Sequence, residues 1–199
     1  MFETFENYIR SKIDLHQDEL KHILSLAVIR KIRRRQLLLQ EGEICRHKVF
    51  ICKGLLKTYR RKEDGTEYIM KFAPENSWAI DPESYHNEIP TKYNIEAVEA
   101  TDIMLWSKAS FHELFVSIPA FKSFSEKLMF SSIDANQDRI LMNISSTTEE
   151  KYQDFIATFP DVFRRVPLHM VASYLGVSRE TLSRIRHTQL KHHKHNGIS

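Results

Sequence analysis

Between Ser178 and His187 a short stretch carries several side chains able to make directional hydrogen bonds: Arg179, Glu180, Ser183, Arg184 and His187. With Leu182 and Ile185 turned to a core, helical spacing turns Glu180, Ser183 and His187 outward, flanked by Arg179 and Arg184. A guanidinium fork matches guanine O6 and N7, a carboxylate accepts from cytosine N4, and a hydroxyl serves in either role. The set suits readout of base edges in a major groove, with Ser178 starting the helix and Lys191 placed beyond it for phosphate. Other chemistry is poorly supplied. From Val28 to Trp106 the only histidines are His47 and His86, with no H-x-H pair, so neither a metal site nor a catalytic set is expected. No cofactor is expected either. Cys45 and Cys52, in C-x6-C spacing, match neither zinc nor iron–sulfur patterns and read as buried thiols of a reducing compartment. His192, His193 and His195 are more consistent with a solvated tail than with metal ligands.

Those outward side chains need a rigid helix pair behind them. In Leu168–His187, Ala172 supplies the small residue where two helices touch, and Gly176, four residues on, supplies the left-handed turn. Val171, Leu175, Val177, Leu182 and Ile185 have the spacing of a shared core. Pro167 suits the first turn of the leading helix, and Ser178 can cap the second, with Glu180 favourable in its first turn. The pattern is that of a helix-turn-helix. Charge agrees: from Arg164 to Ser199 seven Lys or Arg face the single acid Glu180, so this part carries +6 and the rest of the chain −3. Such an imbalance suits a polyanionic partner.

Upstream, residues 1–26 have helical apolar spacing. From about Val28 to Trp106 the texture changes to short β-branched and aromatic runs, among them Val49-Phe50-Ile51 and Tyr68-Ile69-Met70-Lys71-Phe72. Gly42, Gly54 and Gly65 fall between runs, and Asp64-Gly65 marks a hairpin. This predicts a β-sandwich, jelly roll or barrel. Ser107 to about Ser145 is helical again, broken at Pro119, with an apolar stripe suited to dimerisation. Ser145–Glu150 forms a polar junction and a helix start, followed by the apolar face of Tyr152, Phe155, Ile156 and Phe159. No apolar run spans a membrane, and the N-terminus lacks the layout of a signal peptide, so a cytoplasmic protein is expected.

Ser178-Arg179-Glu180-Thr181-Leu182-Ser183-Arg184-Ile185 resembles the recognition helix of the Crp/Fnr transcription regulators. The order of parts resembles that family too, as do the turns Leu39–Glu43, Lys53-Gly54 and Glu63–Glu67. The resemblance implies an α+β chain: a cyclic-nucleotide-binding-like β-roll with flanking helices over 1–118, a long dimerisation helix over 119–145, and a helix-turn-helix domain over 146–199. It implies a homodimer on palindromic double-stranded DNA, RNA polymerase as a further partner, and Arg179, Glu180 and Arg184 as base readers. The nucleotide signature departs from the family: Ala79-Ile80-Asp81-Pro82 stands where a Gly-Glu pair is expected, and Pro90-Thr91-Lys92-Tyr93 where Arg-Ser is expected. Bulk at Ile80 and the missing guanidinium argue against cyclic AMP. An effector pocket is expected around Trp78, Asp81, Thr91 and Lys92, for a small molecule of unknown identity. Residues 1–44 lack a cysteine group for an iron–sulfur cluster, and no wing hairpin is expected after Leu190. The alternative is a sensor or interaction module in which the β-roll does the work and the helical end docks a protein.

Overall fold

A computed structural model describes the backbone of residues 1–195 and the side chains of residues 1–188. The chain divides into two compact units: Met1–Arg60 with Met70–Asp134, and Arg61–Ile69 with Ala135–Ser199.

The first unit is a roll of two four-stranded sheets. One sheet has the order β1 (Val28–Ile32), β8 (Thr101–Ser107), β3 (His47–Lys53), β6 (Trp78–Ala79). The other runs β2 (Leu37–Leu39), β7 (Asn94–Ala97), β4 (Leu56–Arg61), β5 (Glu67–Ala73). The central strands β3 and β8 are buried on both faces, which is why they read as unbroken apolar runs rather than alternating ones. Strand geometry sorts their side chains by parity. Val49, Ile51, Ile103 and Leu105 enter the core between the sheets with Leu39, Leu56, Ile95 and Ala97. Phe50, Cys52, Met104 and Trp106 point the other way, into an aromatic layer with Phe5, Phe111, Phe121 and Phe124. There the Trp106 indole donates to the Ile23 carbonyl at 2.8 Å, satisfying its polar atom while the ring stays fully buried. Each large side chain buried in this way contributes roughly 1.5–3 kcal/mol. Both cysteines are buried free thiols, one in each core.

The apolar layer is closed by α1 (Phe2–Arg10), α2 (Gln17–Ser25), α4 (Lys108–Ser117) and the start of α5 (Pro119–Ser145). The helical spacing over 1–26 thus resolves into two helices. Arg10 ties the turn between them, donating to the Leu15 carbonyl and to Gln17 Oε1, and Glu19 accepts the His16 amide to start α2. Gly54 turns β3 into β4 at φ +103°, and a Cβ there would lie 2.5 Å from Thr101 Oγ1, so no other residue fits. A short helix, α3 (Pro82–Asn87), interrupts the β region where strand texture alone predicts none. Its local signal was present: Asp81 caps it and Pro82 occupies its first turn.

After Phe124, α5 exposes Met129, Phe130, Ile133, Ile140, Leu141 and Ile144. Phe130, Ile133, Ile140 and Ile144 follow spacings compatible with one seam along a helix. Among the described residues, no helix is long and apolar enough to cross a membrane.

Candidate nucleic-acid interface

The second unit contains the α6 (Thr148–Thr158), α7 (Pro160–Arg165), α8 (Leu168–Leu175) and α9 (Arg179–His195) helices. A capping box starts α6, with the Glu150 amide bonded to Thr147 Oγ1 and the Thr147 amide donating to Glu150. The Thr147 amide, and the Thr147 hydroxyl that also donates to the carboxylate, hold the Glu150 carboxyl below its ordinary range. Sequence spacing ends the apolar helix at Pro160, and α6 does stop just before it, at Thr158; the proline then opens α7, as proline suits a first helical turn. Pro167 stands one residue before α8, as its cap, rather than within its first turn.

The α8–α9 pair has the pivot read from the sequence. Gly176 adopts φ +70°, and the Val177 amide donates to the Ala172 carbonyl at 3.0 Å, closing the helix end. Val171, Ala172, Leu175, Leu182 and Ile185 are buried. Ser178 caps α9, its hydroxyl accepting the Thr181 amide at 3.1 Å. Arg179, Glu180, Arg184 and His187 are exposed, as is Ser178, while Ser183 is half-buried. The His187 ring folds back to the Ser183 carbonyl, 3.1 Å from Nδ1. Glu180 is held below the ordinary carboxyl range by hydrogen bonds with its own amide and with Ser178, assisted by the nearby Arg179 charge. It is therefore ionised at neutral pH. The Lys191 side chain and those of His192, His193 and His195 lie outside the described residues.

Two features escaped sequence reading. Arg186 is exposed beside Ile185 and shares a helical face with Arg179 and Ser183; its i, i+4, i+7 spacing could have shown it. The second is the β4–β5 turn, which belongs to this unit. Ser173 of α8 donates to the Glu67 carbonyl at 2.5 Å and accepts the Ile69 amide at 3.0 Å. Arg139 lies 4.0 Å above the Tyr174 ring and donates to the carbonyls of Tyr174 and Ile69. No sequence signal pairs residues a hundred positions apart.

The four residues expected at an effector pocket belong to the first unit and take different surroundings. Trp78 packs edge-on against Phe5, Phe50 and Phe111 in the aromatic layer. Asp81 accepts the Glu83 and Ser84 amides through Oδ1 and the Thr91 hydroxyl through Oδ2, the last at 2.5 Å. Lys92 pairs at the surface with Glu83, 3.2 Å away. The structure thus joins Asp81 to Thr91, and Lys92 to the helix that Asp81 caps. A cavity of about 550 Å³ opens in the roll beside them: Ala79 and Ile80, between Trp78 and Asp81, line it together with residues of β1, β2, β3, β7 and β8 and of the segment between β2 and β3, but none of the four expected residues does.

Residues 29–117 match the sequence model of the cyclic nucleotide-binding domain. A sequence search among curated proteins finds no match. Solved structures match over most of the chain. FixK2 from Bradyrhizobium japonicum has a TM-score of 0.69 at 18% identity, covering 82% of this chain and 85% of that one. A CooA mutant from Carboxydothermus hydrogenoformans has a TM-score of 0.68 at 16% identity, covering 85% and 78%. A transcriptional regulator of the Crp/Fnr family from Eubacterium rectale has a TM-score of 0.67 at 16% identity, covering 89% and 85%. At these identities the likeness is one of fold.

Proposed function

We propose that this chain, whose architecture is that of the Crp/Fnr family with a cyclic nucleotide-binding-type roll, is a cytoplasmic DNA-binding transcription regulator. It acts as a homodimer on a palindromic operator, with RNA polymerase as a further partner. Its work is binding rather than catalysis. The observation that carries the reading is the outer face of α9. Among the described residues Arg179, Arg184 and Arg186 make no ion pair, and they stand exposed on a helix whose opposite side is locked by Leu182 and Ile185. Side chains so left over from folding are available for base edges and phosphates.

Ser178, Arg179, Glu180, Ser183, Arg184 and His187 form the reading edge, and Lys191 extends it toward phosphate. Exposed Phe130, Ile133, Ile140 and Ile144 supply the apolar seam for a second copy. Two copies would set their α9 helices in successive major grooves about 34 Å apart. A small-molecule effector that is not cyclic AMP would act through the roll. The closed Asp81–Thr91 pair supports this, because the α3 amides on which a phosphate could rest already hold a carboxylate.

Gel-shift titration against genomic fragments tests the proposal. Fragment-selective binding that weakens steeply with salt is expected. Uniform weak binding to every fragment, or none, would reject it in favour of a sensing module that docks a protein.

A further inference from the structure

From Arg30 to Arg35 five of six residues are cations, in a part of the chain whose net charge is negative. The exception, Ile32, belongs to the core between the sheets and ends β1. Arg33, Arg34 and Arg35 then form the turn into β2. All three are exposed, as are Lys31 and Gln36, and these five residues line one shallow, open hollow.

The turn is held from both sides. The Arg33 amide donates to Gln36 Oε1, and the Gln36 amide donates to the Arg33 carbonyl, each at 3.0 Å. The Ala97 carbonyl accepts the Arg35 amide at 2.7 Å, and the Ala97 amide donates to the Gln36 carbonyl at 3.0 Å. Arg35 adopts φ +65°, a left-handed conformation that Gly or Asn takes at less cost. An arginine there strains the turn and returns nothing to the fold, because its guanidinium meets no acceptor. Among the described residues, the side chains of Lys31, Arg33, Arg34 and Arg35 make no hydrogen bond or ion pair. Asp102 stands opposite Lys31 in the pairing of β1 with β8 without closing to an ion pair, and that pairing stops at Ile32, short of the three arginines.

The hollow therefore offers donors. It has no aromatic face for a base, no aliphatic floor for an organic body, and the Gln36 side-chain oxygen is spent inside the turn. Guanidinium forks match the paired oxygens of a phosphate. Several of them fixed on one exposed turn suit a repeating phosphate chain better than a single small anion, which an open surface leaves in water.

We propose that the β1–β2 turn is a second DNA contact, gripping backbone phosphates of duplex DNA outside the bases read by α9. It rests on the reading of this chain as a DNA-binding regulator and adds a sequence-independent hold on the flanks of the operator.

Fluorescence anisotropy of the full chain tests this on three duplexes: a site selected from genomic fragments with its flanks, about 60 bp; the same site trimmed to about 22 bp; and random sequence of the greater length. The variant combines Arg33→Gln, Arg34→Gln and Arg35→Asn. Asparagine relieves the left-handed position, so the melting temperature should equal or exceed that of the parent. On both long duplexes the affinity should fall about tenfold or more and the log–log salt slope by about 2–3, while the short site binds as before. The ratio of selected to random binding should not change. Lys12→Gln, Lys53→Gln and Lys122→Gln together remove the same charge from other exposed positions and should cost little.

The proposal is overturned if the arginine variant keeps the parent's slope on long DNA, if the short site weakens equally, or if the lysine control costs as much, which would mark diffuse attraction. It is also overturned if polyglutamate binds the parent more tightly than random duplex does and loses that binding in the arginine variant, which would make the turn a protein-docking surface. A parent that prefers no site, yet whose hold on random DNA depends on the three arginines, would sink the operator reading and leave this one standing. A parent that binds no DNA overturns both.

Discussion

Asp81 and Arg179 both carry charge at the start of a helix, and they meet opposite fates. Asp81 is 5% exposed and spends its carboxylate on two α3 amides and the Thr91 hydroxyl. Arg179 is the first residue of α9 and is exposed; a guanidinium has no acceptor for the amides at that end, and the neighbouring Ser178 hydroxyl takes the capping task by accepting the Thr181 amide. A charge that caps its own helix is consumed by folding. A charge beside a neutral cap stays available. The difference separates a structural corner of the roll from the face that the proposal assigns to DNA.

The sharpest way to break this comparison is to remove both kinds of charge. Arg179→Ala combined with Arg184→Ala should cost about 1–3 kcal/mol of operator binding per arginine, with little change in melting temperature. Asp81→Ala should do the reverse: about 2–3 kcal/mol of unfolding free energy lost in urea titration, through the missing cap and a stranded buried Thr91 hydroxyl, with the operator affinity retained. Arginine variants that unfold, or an Asp81 variant that selectively loses DNA, would erase the distinction.

Lys48 probes the same contrast with a cation that is not free. Its ammonium lies 4.3 Å from the Phe111 centroid, with the Phe115 and Tyr85 rings close by. Burial pushes its pKa down to about 8 from 10.5, while the ring faces favour the charged form. Below pH 8 both folded and unfolded chains hold the proton and the penalty for burying the charge is present in full. Between 8 and 10.5 the folded state releases the proton first, so this group makes stability rise with pH. Cys52, pushed up to about 11, and Tyr85, pushed up to about 12, act in the opposite sense, so the comparison must be with a variant. Lys48→Met should be more stable than the parent by about 1–2 kcal/mol at pH 7, an advantage that shrinks by pH 10 in urea titrations. A pH-independent difference between the two would place the ammonium in a water-like setting.

The smallest effect expected is that of Ser178→Ala. Losing the cap should cost about 1 kcal/mol of stability in the C-terminal unit, read by hydrogen exchange at the start of α9. Restoration by Ser178→Asp would confirm that the hydroxyl acts as a cap.

Much of this molecule is legible along the chain. The Ala172–Gly176 pair, the Leu182 and Ile185 spacing and the Ser178 cap identify the helix pair because each requirement acts within one or two turns. The strand runs around Val49–Ile51 and Ile103–Trp106 are equally plain. What escaped was brief or shared. Helix α3 is six residues long and sits amid strand texture. The break between α1 and α2 rests on contacts of Arg10 across the turn.

Periodicity, turn glycines and capping residues determine the elements and their order, because each expresses a constraint between near neighbours. Which charges cancel and which remain was decided only when the chain closed on itself. Thr91 reaches Asp81 from ten residues away, and Lys57 of β4 meets Glu96 of β7 at 3.4 Å because the register of those strands sets them opposite each other. Strand parity can be read from one segment, but the residue opposite is chosen by pairing with another. A free arginine and a neutralised one therefore look alike until the sheets are assembled.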